Sequence, residues 1–216
     1  LELDEIIKSL KDIEKYSKLI NANQNDVSNI FKLGVAEYKY GDYENAIIEF
    51  SKIIALDANY YDAYYYLGLT KSSSSDYRGA INDYTRLLEL RSEDDLETLL
   101  QRAYCRGELG EYAEANEDYS RVIQLDPKNT HAIFDRAVSN AHSEDYQSAI
   151  EDYSRVIELD SNFKNAFYYR GLSKECLGDF EGAVEDLQME LKLNPQKIEI
   201  KELILDILHK SNGSEE

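Results

Sequence analysis

The segment Glu117–Asp126, EDYSRVIQLD, returns as EDYSRVIELD at Glu151–Asp160, 34 residues later, and more faintly as NDYTRLLEL at Asn82–Leu90. Self-similarity at this period marks a stack of small supersecondary units. One such unit cannot bury its apolar face alone and must lean on its neighbours. A single globular core has no reason to repeat itself, so the spacing restricts the chain to a repeat architecture.

The repeat can be phased across most of the chain. Gly34, Gly68, Ala103, Ala137 and Gly171 stand 34, 35, 34 and 34 residues apart. The same steps relate Tyr43, Tyr77, Tyr112, Tyr146 and Phe180; then Ala46, Ala80, Ala115, Ala149 and Ala183; then Phe50, Tyr84, Tyr119, Tyr153 and Leu187. Small residues recur where two helices must approach closely, and aromatic ones where a gap must be filled. The single 35-residue step places an extra residue near Asp94 or Asp95, in a turn, where insertion costs little. Each unit reads as two amphipathic helices around a tight turn such as Tyr40-Gly41-Asp42 or Leu177-Gly178-Asp179. Glycine supplies the left-handed end of the first helix, and aspartate caps the second. Pro127 and Pro195 stand where one helix stops and the next segment starts.

The pattern Leu33-Gly34 and Leu67-Gly68, then Ala46-x3-Phe50 and its copies, then Pro127 and Pro195, resembles the tetratricopeptide repeat. Residues 27–197 divide into five copies: 27–60, 61–94, 96–129, 130–163 and 164–197. The chain departs from the family pattern at its first aromatic station, held by Ile30, Tyr64, Leu99, Ile133 and Phe167. The closing proline is Ala58, Ser92 or Ser161 in three units. The resemblance implies an all-α fold, a right-handed superhelical solenoid of helix–turn–helix repeats. Within 1–26, Leu3, Ile6, Ile7, Leu10, Ile13, Tyr16, Leu19 and Ile20 predict an N-terminal capping helix. Over 198–210, Ile200, Leu203, Ile204, Ile207 and Leu208 predict a C-terminal one, with Ile198 and Leu205 off its apolar face. Residues 211–216 read as a polar tail.

Arg102, Arg136 and Arg170 replace the leucine of Leu33 and Leu67, and Asp118, Asp152 and Asp186 follow sixteen residues later on the second helix. This spacing predicts Arg–Asp pairs between the two helices of a unit. The alternative is pairing along one exposed face, Asp118 with Arg121 and Asp152 with Arg155.

A formal net charge of −19 disfavours a nucleic-acid partner, because phosphate contacts need a basic footprint, and suits either a solvated face or a basic protein partner. Cys105 and Cys176 form no disulfide framework, and His131, His142 and His209 are too scattered for a metal motif. Neither a metal nor another cofactor is expected. No catalytic constellation stands out, so an enzyme is not expected. No apolar run approaches a membrane span and no secretory segment is visible. The expected compartment is the cytoplasm, with an exported form whose signal has been removed left open.

In the resembling family the first helices line a concave wall on which peptides lie. Phase then places Phe31, Val35 and Tyr38 on that wall from the first unit. Tyr65 and Leu69 come from the second, Leu100 and Tyr104 from the third, Phe134 and Val138 from the fourth, and Tyr168 and Leu172 from the fifth. Lys39, Asp62, Gln101, His131, Asp135, His142 and Asn165 form its polar rim. The lysine–asparagine–arginine set by which one branch of the family grips a terminal carboxylate is absent, its stations holding Phe31, Val35, Tyr66, Glu97 and Gln101. The expected function is therefore a protein-interaction scaffold binding an apolar or mixed peptide. Two alternatives stay open: the rings fill their own groove, or the chain is an assembly subunit that self-associates through its ends or convex face. Monomer and dimer are both compatible with the sequence.

Overall fold

The computed structural model describes residues 3–91 and 94–213. Among them are twelve α-helices and no strand. They run α1 Leu3–Ala22, α2 Val27–Tyr40, α3 Tyr43–Leu56, α4 Tyr61–Ser73, α5 Tyr77–Leu90, α6 Leu96–Glu108, α7 Tyr112–Leu125, α8 Thr130–His142, α9 Tyr146–Leu159, α10 Ala166–Cys176, α11 Phe180–Leu193 and α12 Glu199–Gly213. The chain forms two compact units, the first ending at Gly110 and the second beginning at Glu111. The third sequence repeat is divided by this boundary, α6 lying in the first unit and α7 in the second.

Within each unit every helix packs on the next in the chain. In the first, Ile30, Leu33, Ala46, Phe50, Ile53, Ala63 and Leu67 make one buried cluster, and Ala80, Ile81, Tyr84 and Cys105 a second. In the second, Ala137, Ala149 and Tyr153 are buried together, and Ala183 and Leu187 pack with Ile200 and Ile207 of α12. The alanine series 46, 80, 115, 149, 183 is buried throughout, and in the repeats that lie within one unit the two helices close on each other there. The glycine before it does the same work. A Cβ on Gly68 would lie 2.5 Å from the ring of Tyr84, and one on Gly34 2.9 Å from that of Phe50.

The predicted turns take the predicted form. Gly41 has φ +94° and its amide donates to the carbonyl of Glu37, closing α2, while Asp42 accepts the amide of Asn45 to open α3. Gly178 and Asp179 repeat this between α10 and α11. Ser75 and Glu144 occupy the station of Gly41 and are left-handed too, at φ 65° and 64°. Such a conformation costs an L-residue roughly 1 kcal/mol, so repeat geometry overrides local preference at both.

The predicted Arg–Asp pairs of the fourth and fifth repeats form between helices. Arg136 donates from Nε and Nη2 to the two carboxylate oxygens of Asp152, at 2.8 and 2.7 Å. Arg170 grips Asp186 likewise, at 2.8 and 2.6 Å. Each guanidinium also donates from Nη1, at 3.0 Å, to a serine on the preceding second helix, Ser120 and Ser154 respectively. Arg102 makes the corresponding bond to Thr85 at 3.1 Å. The hydroxyl of the repeated DYS/DYT segment thus anchors the arginine of the next repeat, a role the Arg–Asp spacing alone does not suggest. Pairing along the exposed face of α9 is not what Arg155 does, since it donates to the carbonyl of Pro127.

The terminal helices differ from expectation in part. On α1 only Ile13, Tyr16 and Ile20 reach the core, whereas Leu3 is 71% exposed and Ile7, Leu10 and Leu19 are also exposed. At 100° per residue Leu3, Ile7 and Leu10 centre about 110° round the helix from Ile13, Tyr16 and Ile20, and α1 packs chiefly on α2. On α12, Ile200 and Ile207 are buried and Leu203 and Ile204 pack against them, but Leu208 is exposed along with Ile198 and Leu205.

Candidate functional site

In the first unit the expected wall residues form a packed aromatic strip. Phe31 meets Phe50, Tyr60 and Tyr66 at ring-centre distances of 5.8, 5.6 and 5.3 Å. Tyr38 lies 6.1 Å from Tyr43 and 6.3 Å from Tyr66. Tyr65 lies 5.8 Å from Tyr66, and its hydroxyl donates to Glu97 at 3.3 Å. Burial, then the nearby carboxylate, raises the Tyr65 phenol well above its ordinary value, so it remains a donor. Val35, Leu69 and Leu100 are half-buried. Tyr104 is the open member, 47% exposed, with one edge contact, at 6.2 Å, to Tyr77.

The second unit carries the same ring cluster again. Phe134 meets Tyr153, Phe163 and Tyr169 at 5.5, 5.0 and 5.7 Å. Each of these four rings stands 103 residues after its counterpart in the first cluster (134 − 31 = 103). Tyr168 packs on Tyr169 at 5.3 Å and lies under the ammonium of Lys197. Phe31 and Phe134 are therefore anchored by rings of their own unit, as edge-to-face aromatic packing favours. Sequence phase missed Tyr66 and Tyr169, which share one station, and Tyr60 and Phe163, which share another. Each recurs only at every third repeat, so no adjacent copies call attention to it.

The rim residues divide. Lys39, Asp62, His131, Asp135 and His142 are exposed. His142 stacks on Tyr112 with ring centres 5.6 Å apart, and His131 meets Phe163 edge-on. Gln101 donates to Glu97 at 2.9 Å. Asn165 is taken by Lys197, whose ammonium donates to its side-chain oxygen at 2.5 Å.

Two cavities open on these faces. The larger, about 410 Å³, lies between α1 and α2, with Phe31, Val35, Ala36 and Tyr66 on one side and Ser9, Asp12 and Tyr16 on the other. Lys8, Lys32 and Lys39 also line it. The smaller, about 200 Å³, is in the second unit and is walled by Val138, Ala141, His142, Leu172 and Cys176. The Tyr153 ring lines it too, with a buried hydroxyl that has no hydrogen-bond partner among the described residues. No group of three or more His, Cys, Asp or Glu side chains among the described residues is arranged to hold a metal ion. No helix among them is long and apolar enough to cross a membrane.

The tetratricopeptide repeat family model matches residues 65–130 and 100–162. Among solved structures, the chain is similar to YrrB, described as a TPR protein with an unusual peptide-binding site. The TM-score is 0.75 at 20% identity, covering 88% of this chain and 98% of that one. It is similar to MamA at TM-score 0.74 and 21% identity, covering 80% and 94% of the respective chains. MamA from Desulfovibrio magneticus RS-1 gives 0.75 and 16%, covering 80% and 97%. These likenesses show the fold. No curated protein matches the sequence.

Proposed function

We propose that this chain, which belongs to the tetratricopeptide-repeat proteins, is a non-enzymatic interaction scaffold that holds a segment of another protein against the inner faces of its first helices. The observation that carries the reading is the 410 Å³ cavity beside Phe31 and Val35, within the size range of ligand pockets and lined by rings on both sides. Tyr104 adds an exposed aromatic face on α6. Aromatic anchors in partly desolvated positions dominate protein recognition. The description of YrrB as having a peptide-binding site lends support from a protein of the same fold.

Tyr104 and Val35 are better probes than Phe134, which three rings hold in place. Immobilised wild-type protein and the Tyr104→Ala/Val35→Ala variant are to be compared for retention of host proteins from native lysate. A partner held by the wild type should be lost from the variant while circular dichroism stays unchanged. Undiminished retention would remove the inner face from the account.

A second reading has its own observation. Leu3, Ile7 and Leu10 on α1, and Ile198, Leu205 and Leu208 at α12, are exposed apolar side chains on the two terminal elements. Self-association through them makes the sedimentation coefficient rise with protein concentration, whereas a scaffold acting as a monomer shows no such rise.

A further inference from the structure

We propose that the cavity between α1 and α2 takes an acidic segment of the partner: one large apolar side chain against Phe31 and Val35, with flanking carboxylates on Lys8, Lys32 and Lys39. This rests on the peptide-binding reading above and specifies its chemistry. The net charge of −19 favours a basic partner for the molecule as a whole, but the cavity is different. Residues 1–40 carry seven acidic and six basic side chains, a balance of −1, so −18 of the charge lies beyond Tyr40. At the cavity itself three lysines stand against two carboxylates, Glu5 and Asp12.

None of the three lysines is paired with a carboxylate among the described residues. All three are exposed. Lys32 reaches over the Tyr16 ring, 6.0 Å from its centre, so one of these charges already lies against the aromatic wall. A basic segment entering here would meet three like charges, and a purely apolar one would gain nothing from them. Carboxylates around an apolar anchor satisfy both surfaces, at distances shorter than the screening length of roughly 8 Å at physiological salt, where the remote acidic charge is largely screened.

The geometry also changes the role of α1. Tyr16, Ile13 and Ile20 fix its second half on the core, and Ser9 and Asp12 of its first half face the cavity. The helix is thus one wall of the site as well as an end cover.

Three labelled peptides with a central Leu-Phe test the assignment: one flanked by Asp and Glu, one by Lys and Arg, one by Ser and Gly. By fluorescence anisotropy at physiological salt, where the remote acidic charge is screened, the acidic peptide should bind about tenfold more tightly than the neutral one, and the basic peptide most weakly. In the Lys32→Glu/Lys39→Glu variant the order should invert, and both positions are exposed, so folding is unaffected. Equal binding of all three, or an order untouched by the variant, overturns the acidic segment and leaves the scaffold reading standing. Failure of every peptide to bind the wild type overturns both.

Discussion

Arg136→Ala should cost about 3 kcal/mol of stability in the second unit, read as a shifted urea midpoint with unchanged slope. The guanidinium holds both oxygens of Asp152, whose side chain is 9% exposed, and it also ties Ser120 to the same point. Removing it leaves a nearly buried carboxylate with its principal cation gone, and such a charge costs far more than the pair itself contributes. The double variant Arg136→Leu/Asp152→Leu separates these effects. Leucine is what the first two repeats carry at the arginine station, Leu33 and Leu67, both buried. The double variant should therefore recover most of the loss. A single variant within about 0.5 kcal/mol of wild type would show that the pair behaves like an exposed one.

Glu37→Gln should stabilise the first unit at alkaline pH and do nothing in acid. Glu37 lies on α2 at the station occupied by Lys71 on α4 and Lys174 on α10. Those lysines pair with Asp83 at 2.6 Å and Asp186 at 2.9 Å. In the first repeat the aspartate station holds Glu49, so two carboxyls stand where other repeats place an ion pair. Glu37 is 7% exposed, and Oε2 of each glutamate is buried without a hydrogen-bond partner. Burial first, then Glu49 and Asp42, push the Glu37 carboxyl up to about 8. A folded-state value above the unfolded one means stability is fully present below the unfolded value, near 4.3, and is lost as pH rises through about 8. The whole shift corresponds to at most about 5 kcal/mol, and solvent relaxation around the pair leaves roughly 2. Glu37→Gln should then match wild type near pH 4 and exceed it by about 2 kcal/mol near pH 9. Glu37→Lys, which recreates the Lys71–Asp83 arrangement, should gain at least as much. A wild type equally stable at both pH values relative to Glu37→Gln would contradict the shared burial of the two acids.

Much of this architecture was legible because a repeat states its packing rules five times. The alanine and glycine stations, the Gly-Asp turns and the sixteen-residue Arg–Asp spacing each gain meaning from their copies, and the structure uses them as the copies suggest. What could not be read lies where copies are missing or skip. Tyr66 and Tyr169 share a station that holds Lys32, Gln101 and Asp135 elsewhere, so their place in the ring clusters has no signal at the single-repeat period. The α1 helix has no repeat partner to set its phase, and its long apolar stripe was wider than α2, on which it chiefly packs, could cover. Of the candidate wall, Val35 and Phe31 came out beside a cavity because α1 stands away from α2 there, a matter of helix placement that spacing cannot encode.

The most direct test of the scaffold itself is selection of random peptides displayed on phage against the immobilised protein, counter-screened on Tyr104→Ala/Val35→Ala. The account predicts enrichment of sequences with an aromatic or large aliphatic residue beside Asp or Glu, lost on the variant. Enrichment of sequences that bind both proteins alike, or of none at all, would contradict it.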